Sequence, residues 1–108
     1  MRMHIDIDQD SLVPRVRHLV TFALSSVSFA IAELRISSWR IKDARGTTLT
    51  QFRVETYPRY GDPFEVEEVQ SDPEVAVIRT LERTGRTLHR RLAMLQQRRL
   101  ANIAATGR

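Results

Sequence analysis

The chain has no cysteine. A disulfide framework and a thiolate metal site are therefore both excluded. Long apolar runs are missing too: nothing approaches the roughly 18 consecutive residues that span a bilayer. The opening stretch, Met1 to Asp8, lacks the apolar core of a signal peptide. The expectation is a soluble cytoplasmic protein with no membrane partner. Histidine is sparse, and His4, His18 and His89 show no metal-ligand spacing such as HExxH. The four glycines form neither a P-loop nor another phosphate cradle. No serine sits in a nucleophile elbow. Enzymatic activity, a cofactor, a metal and a small-molecule substrate are not expected.

What is present is arginine, distributed unevenly. Lysine appears once, at Lys42, against sixteen arginines. This reads first as compositional bias and second as a preference for phosphate. The net charge is +4, but its placement says more. From Arg79 to Arg108 there are eight arginines and one acid, Glu82. Between Asp62 and Glu74 there are six acids and no base. Such a chain carries a dipolar surface whose basic end steers toward polyanions. The acidic run lacks the alternating ligands of a calcium loop and reads as a device that keeps a strand edge soluble.

The basic end is ordered. Arg79, Arg83, Arg86 and Arg90 recur at spacings of 4, 3 and 4. On a helix at about 100° per residue they occupy an arc of about 60°. Val77, Leu81, Gly85, Leu88, Leu92 and Leu95 form a second stripe nearly opposite, so the helix can bury one side and hold guanidinium groups to solvent on the other. The flat, permanently charged fork of arginine matches phosphate oxygens. Four to six such contacts imply a log-log salt slope of about −3 to −5. The opposing reading is a solvated basic helix whose arginines pair with Glu82 and with acids of the preceding strand.

Organisation follows from periodicity, and 108 residues suit one domain. Met3, Ile5 and Ile7 alternate with polar residues, as in a half-buried strand. Ser11 as a cap, Pro14 in the first turn and Val16, Leu19, Val20, Ala23 and Val27 predict a helix over roughly 12–28. Leu34 and Ile36 mark a second strand near 31–40. The polar stretch from Lys42 to Thr47 turns the chain, and Phe52, Val54 and Thr56 mark a third strand. Gly61-Asp62-Pro63 is another turn, followed by a short strand over about 63–69. Asp72-Pro73-Glu74 starts the last helix. Its apolar period runs to Leu95, which predicts a domain over 1–95 and an exposed basic extension over 96–108.

The expected class is α+β, in the order β-α-β-β-β-α, with a four-stranded sheet and both helices on one face. The three later strands form an antiparallel meander. The open face would show His4, Asp6, Arg35, Trp39, Arg53, Glu55, Tyr57 and Glu65, a mixture of charges suited to cross-strand ion pairs.

At this point the chain resembles a known family, the bacterial ribosome hibernation-promoting and translation-inhibiting factors. The resemblance rests on Phe22-Ala23-Leu24-Ser25, on Phe29, Ile31 and Leu34-Arg35-Ile36-Ser37, on Phe52-Arg53-Val54-Glu55, on Asp72 to Ile78, and most closely on the basic stretch from Arg83 to Leu92. It implies a domain that docks on the small ribosomal subunit against its rRNA, in the decoding region, and keeps messenger and transfer RNA out. It also implies rRNA contacts for Arg83, Arg86 and Arg90. Arg79 joins them by helical periodicity, and Arg91 lies in the same basic stretch. Two departures stand out: the turn after the second strand differs from the family's, and the aromatic expected after Asp72 is missing. The length leaves no room for the second domain of long members, so a short-form activity is expected.

Arg15, Arg17 and His18 would extend the basic surface if the two helices lie side by side, or are plain solvated residues. Arg40, Lys42 and Arg45 cluster in a loop within reach of a phosphate. Trp39 stacks on a base or packs on its strand. Two other functions remain open. One is a protein-interaction module, a monomer or weak dimer, pairing helices through Leu81, Leu88, Leu92 and Leu95. The other is a general binder of structured RNA off the ribosome.

Overall fold

The apolar alternation of four short segments becomes a single sheet in the computed structural model, which describes residues 1–106. β1 (Arg2–Ile7), β2 (Ile31–Lys42), β3 (Thr48–Pro58) and β4 (Phe64–Gln70) lie in that order across the sheet. β1 runs parallel to β2, and β2, β3 and β4 form the antiparallel meander. Because side chains alternate across a strand, register assigns each residue a face. Ile5, Ile36, Val54 and Val66 form one inward row, and Met3, Leu34, Thr56 and Phe64 another.

Both helices cover that inward face, as the pattern of the sequence predicts. α1 (Val13–Ala23) contributes Val16 and Val20, and α2 (Pro73–Thr106) contributes Ala76, Val77, Leu81 and Leu88 to one apolar core. Burying each large side chain is worth roughly 1.5–3 kcal/mol, so the sheet and helices form a single cooperative unit.

The first helix is shorter than the sequence predicts, ending at Ala23 rather than near residue 28. Ser25 and Ser28 explain the difference. Their hydroxyls donate to the carbonyls of Phe22 and Ser25 at 3.1 and 3.3 Å, so they compete with helical hydrogen bonding. Val27 stays buried even so, in a tight turn rather than a helix. The expected Ser11 cap is also replaced. With Ser11 as cap, Pro14 would be the third helical residue and could donate no N–H. Leu12 takes the cap position instead, without a side-chain bond, after a 3-10 turn at Asp10–Leu12.

The start of α2 matches its sequence signature. The Asp72 carboxylate accepts the N–H of Glu74 at 2.9 Å, with Pro73 as the first helical residue. The helix then runs unbroken to Thr106, so the extension predicted over 96–108 is helical as far as it is described; Gly107 and Arg108 lie outside the described residues. Burial stops a turn earlier than the apolar period implies. Leu88 is 2% exposed, Leu92 is half-buried and Leu95 is 40% exposed. Leu95 is the last α2 residue to face the domain, over Ala30, Pro58 and Tyr60.

Candidate nucleic-acid interface

The rail forms on α2, and the domain decides how much of it is free. The buried arc of α2 is wider than the apolar stripe, because Thr80 and Thr84 are fully buried. Their hydroxyls donate to the carbonyls of Ala76 and Thr80, at 2.6 and 2.8 Å, so they enter the core without an orphaned polar atom. These threonines shift the buried side of α2 toward β4. Arg83 is the rail arginine nearest that side, about 40° round from Arg79. Its Nη1 donates to the Glu67 carbonyl at 2.9 Å and to Glu68 Oε1 at 3.0 Å. Arg83 is therefore a strap between α2 and the β4 edge.

Arg79, Arg86 and Arg90 are different. All three are exposed, and none has an acidic partner within salt-bridge distance among the described residues. They line one side of α2 over three turns. Glu82, three residues after Arg79 and four before Arg86 on the same side of the helix, has no hydrogen-bond or ion-pair partner either among the described residues.

The remaining candidates scatter. Arg91 turns under the helix, where its guanidinium donates to the Asp62 carbonyl and lies 4.5 Å from the centroid of the Phe64 ring. Arg15 makes a two-pronged contact with Glu74 Oε1, at 2.8 and 3.2 Å, which pins α1 beside the first turn of α2. The helices do lie side by side, but the contact uses up Arg15. Arg17 is exposed about 160° around α1 from Leu19, the side that faces α2. Lys42 closes β2 opposite Thr48, beyond the end of β4, on a hairpin turn held by Asp43 Oδ1. Arg40 lies 3.6 Å from Asp8.

The outer sheet face is internally matched, as its mixed charges suggest. Glu33 faces Arg2, His4 and Arg35 at 4.0, 2.9 and 3.4 Å. Arg53 bonds Glu67 at 2.6 Å and lies 5.1 Å from the Trp39 ring, so Trp39 packs under a cation. The hydrogen bond from Arg53, with a second from Gln51, holds the Glu67 carboxyl below its ordinary range and raises Arg53 in turn. Tyr57 donates to Glu55 at 3.0 Å, which pushes its phenol up.

No set of three or more His, Asp or Glu side chains comes together to hold a metal among the described residues. No helix among them is long and apolar enough to cross a membrane. The site is thus a surface, with three unmatched guanidinium groups on a helix laid across a sheet.

A similar fold is found in two solved structures. One is a ribosomal subunit interface protein from Coxiella burnetii, 12% identical, with a TM-score of 0.64 over 86% of this chain and 99% of that one. The other is the Protein Y N-terminal domain from Thermus thermophilus, 17% identical, with a TM-score of 0.57 over 83% and 98%. Both are of the ribosome hibernation family that the sequence resembles. No family model and no curated protein sequence matches the chain. At these identities the likeness is one of fold.

Two residues of the groove between α1 and α2, Phe22 and Glu82, were not expected at the site. Phe22 is 77% exposed, and the signal was its position about 160° from Val20, off the apolar period of α1. Glu82 stood out only as the lone acid of a basic segment.

Proposed function

We propose that this protein is a non-enzymatic factor that binds the small ribosomal subunit through α2 and occludes its decoding region. Translation is then inhibited while idle ribosomes are preserved. The observation that carries the reading is the row of Arg79, Arg86 and Arg90, exposed and in no ion pair among the described residues, on a helix packed against the sheet. Unmatched guanidinium groups at helical spacing suit a phosphate backbone, and release of its counterions supplies the affinity. Contacts of this kind position a protein without reading bases, so the target is recognised by shape, as a folded rRNA would be. The fold shared with a ribosomal subunit interface protein supports the ribosome as the source of that RNA.

Co-sedimentation with purified small subunits tests the reading. Wild-type protein is expected to pellet with them, more weakly as salt rises, and the triple change of Arg79, Arg86 and Arg90 to Glu to remain in the supernatant. Undiminished binding by that variant sinks the reading. Equal competition from unrelated duplex RNA would shift it to a general RNA binder off the ribosome.

A second reading has its own observation. Leu95, Leu100 and Ile103 are exposed on one side of the free end of α2, where a second helix could cover them. Leu81 and Leu88 take no part, because they lie in the core at 1% and 2% exposure. Light scattering across concentration decides: a salt-insensitive dimer without RNA affinity would favour this module over the ribosome factor.

A further inference from the structure

Between α1 and α2 runs an open groove of about 600 Å³ whose lining joins the arginine rail to an exposed aromatic ring. The volume lies within the roughly 300–1,000 Å³ of small-molecule clefts. Leu19, Ala23, Ile78 and Gly85 form an apolar floor. The exposed ring of Phe22 stands at the α1 lip, and Glu82, Arg86 and His89 form the α2 lip. His89 is held by Ser26, with its Nε2 3.1 Å from the serine hydroxyl. Gly85 is buried at the floor, where an added Cβ would meet Leu24 and Ala23 of the α1 side. Glycine inside a helix costs about 1 kcal/mol relative to alanine. Packing does not require it here, since an added Cβ would sit 3.5 Å from Leu24, an ordinary contact.

We infer that this groove receives one unpaired nucleobase of the bound RNA, stacked on Phe22, with a flanking phosphate on Arg86. The inference rests on the RNA-binding reading and names what that RNA must offer: a single-stranded position beside the phosphates that Arg79 and Arg90 contact. Charge selects the occupant. The guanidinium of Arg86 belongs to both the groove and the rail, so a chain lying along the rail carries phosphate past the lip. A base presents an apolar face to the floor and a π-face to Phe22, the sequence-tolerant mode of single-strand binding. The Glu82 carboxylate, without a partner among the described residues, can accept an exocyclic amine, which favours cytosine over uracil.

The test uses two probes, purified small ribosomal subunits and short oligocytidine or oligouridine strands carrying one 2-aminopurine. Phe22→Ala is expected to weaken binding to both about tenfold and to abolish quenching of the fluorescent base, while Phe22→Trp retains both. Phe22→Leu keeps the apolar surface but loses the π-face, and is expected to behave like Phe22→Ala. Full activity of the leucine variant would overturn base stacking and assign the groove to an apolar peptide. Glu82→Ala is expected to erase the preference for oligocytidine; a wild type without that preference removes Glu82 from the proposal. If Phe22→Ala binds normally while Arg86→Glu binds poorly, the groove is empty of RNA and the rail reading stands. If neither change matters, the rail reading falls with it. Since Phe22 is exposed and outside the core, loss of folding does not confuse these outcomes.

Discussion

The two arginine-bearing surfaces have similar residue content and opposite electrostatic states. On the outer sheet face Arg2, Arg35 and Arg53 each lie within 4.0 Å of a carboxylate, and Arg35 and Arg53 also lie over aromatic rings. On α2, Arg79, Arg86 and Arg90 form no ion pair within 4.0 Å among the described residues, although Glu82 shares their side of the helix. The difference arises from geometry. Neighbouring strands place side chains about 5 Å apart in fixed rows, so an acid on one strand meets a base on the next. A helix crossing the sheet turns one side away from every other element, and charges there stay unmatched. Counting arginines therefore says little about binding, whereas asking which are neutralised says much. Arg83 and Arg15 make the point within the basic region itself, since each is tied to an acid on another element.

The sharpest way to break this comparison is to remove the arginines of each surface separately. Changing Arg79, Arg86 and Arg90 to Glu is expected to weaken small-subunit binding by roughly two orders of magnitude near 0.1 M salt. The magnitude of the salt slope should fall by about 2 to 3. Changing Arg2, Arg35 and Arg53 to Ala should leave binding within twofold and lower only the melting temperature. Equal losses of binding from both variants would erase the distinction.

Smaller effects sharpen the account of how the rail is held. Asp72→Ala removes the cap of α2 and is expected to cost about 1 kcal/mol, read as a shift in the urea midpoint. Gly85→Ala should stabilise the fold by up to about 1 kcal/mol, visible as a raised melting temperature; a destabilised variant would show that packing against Leu24 does require glycine. Arg83→Ala and Glu68→Ala should each cost less than about 1 kcal/mol, as exposed pairs do, and a double-mutant cycle measures their coupling. Arg83→Ala should also weaken subunit binding much less than Arg86→Ala, because Arg83 already spends two donors on β4.

The smallest effect concerns pH. Folding lowers the Glu67 carboxyl below its ordinary value of 4.5, chiefly through the Arg53 hydrogen bond. Its contribution to stability is therefore fully present above pH 4.5 and is lost as pH falls through the depressed value. Melting temperature measured from pH 6 downward should decline less steeply in Arg53→Met than in the wild type. Parallel curves would show that the pair carries no such linkage.

Much of this architecture is legible in the residues. Alternation in Met3-Ile5-Ile7, Leu34-Ile36 and Phe52-Val54 marks strands, and Asp72-Pro73-Glu74 marks a helix start. These signals are local: each depends on side-chain period or on a cap that reaches two or three residues. The end of α1 was not legible, because Val27 continues the helical period although the serines around it turn the chain. Nor was the inward role of Thr80 and Thr84, since a threonine bonded to its own helix enters a core that composition reserves for aliphatic groups.

For this protein, the sequence alone determined the order of elements, the face each strand buries and the presence of an arginine rail, all consequences of periods 2 and 3.6. Only the tertiary structure decided which arginines remain available. Arg83 meets Glu68 across 15 residues and Arg15 meets Glu74 across 59, distances over which no local pattern operates. Neutralisation of a charge depends on what the fold brings within a few ångströms of it, and that is a property of the packed chain.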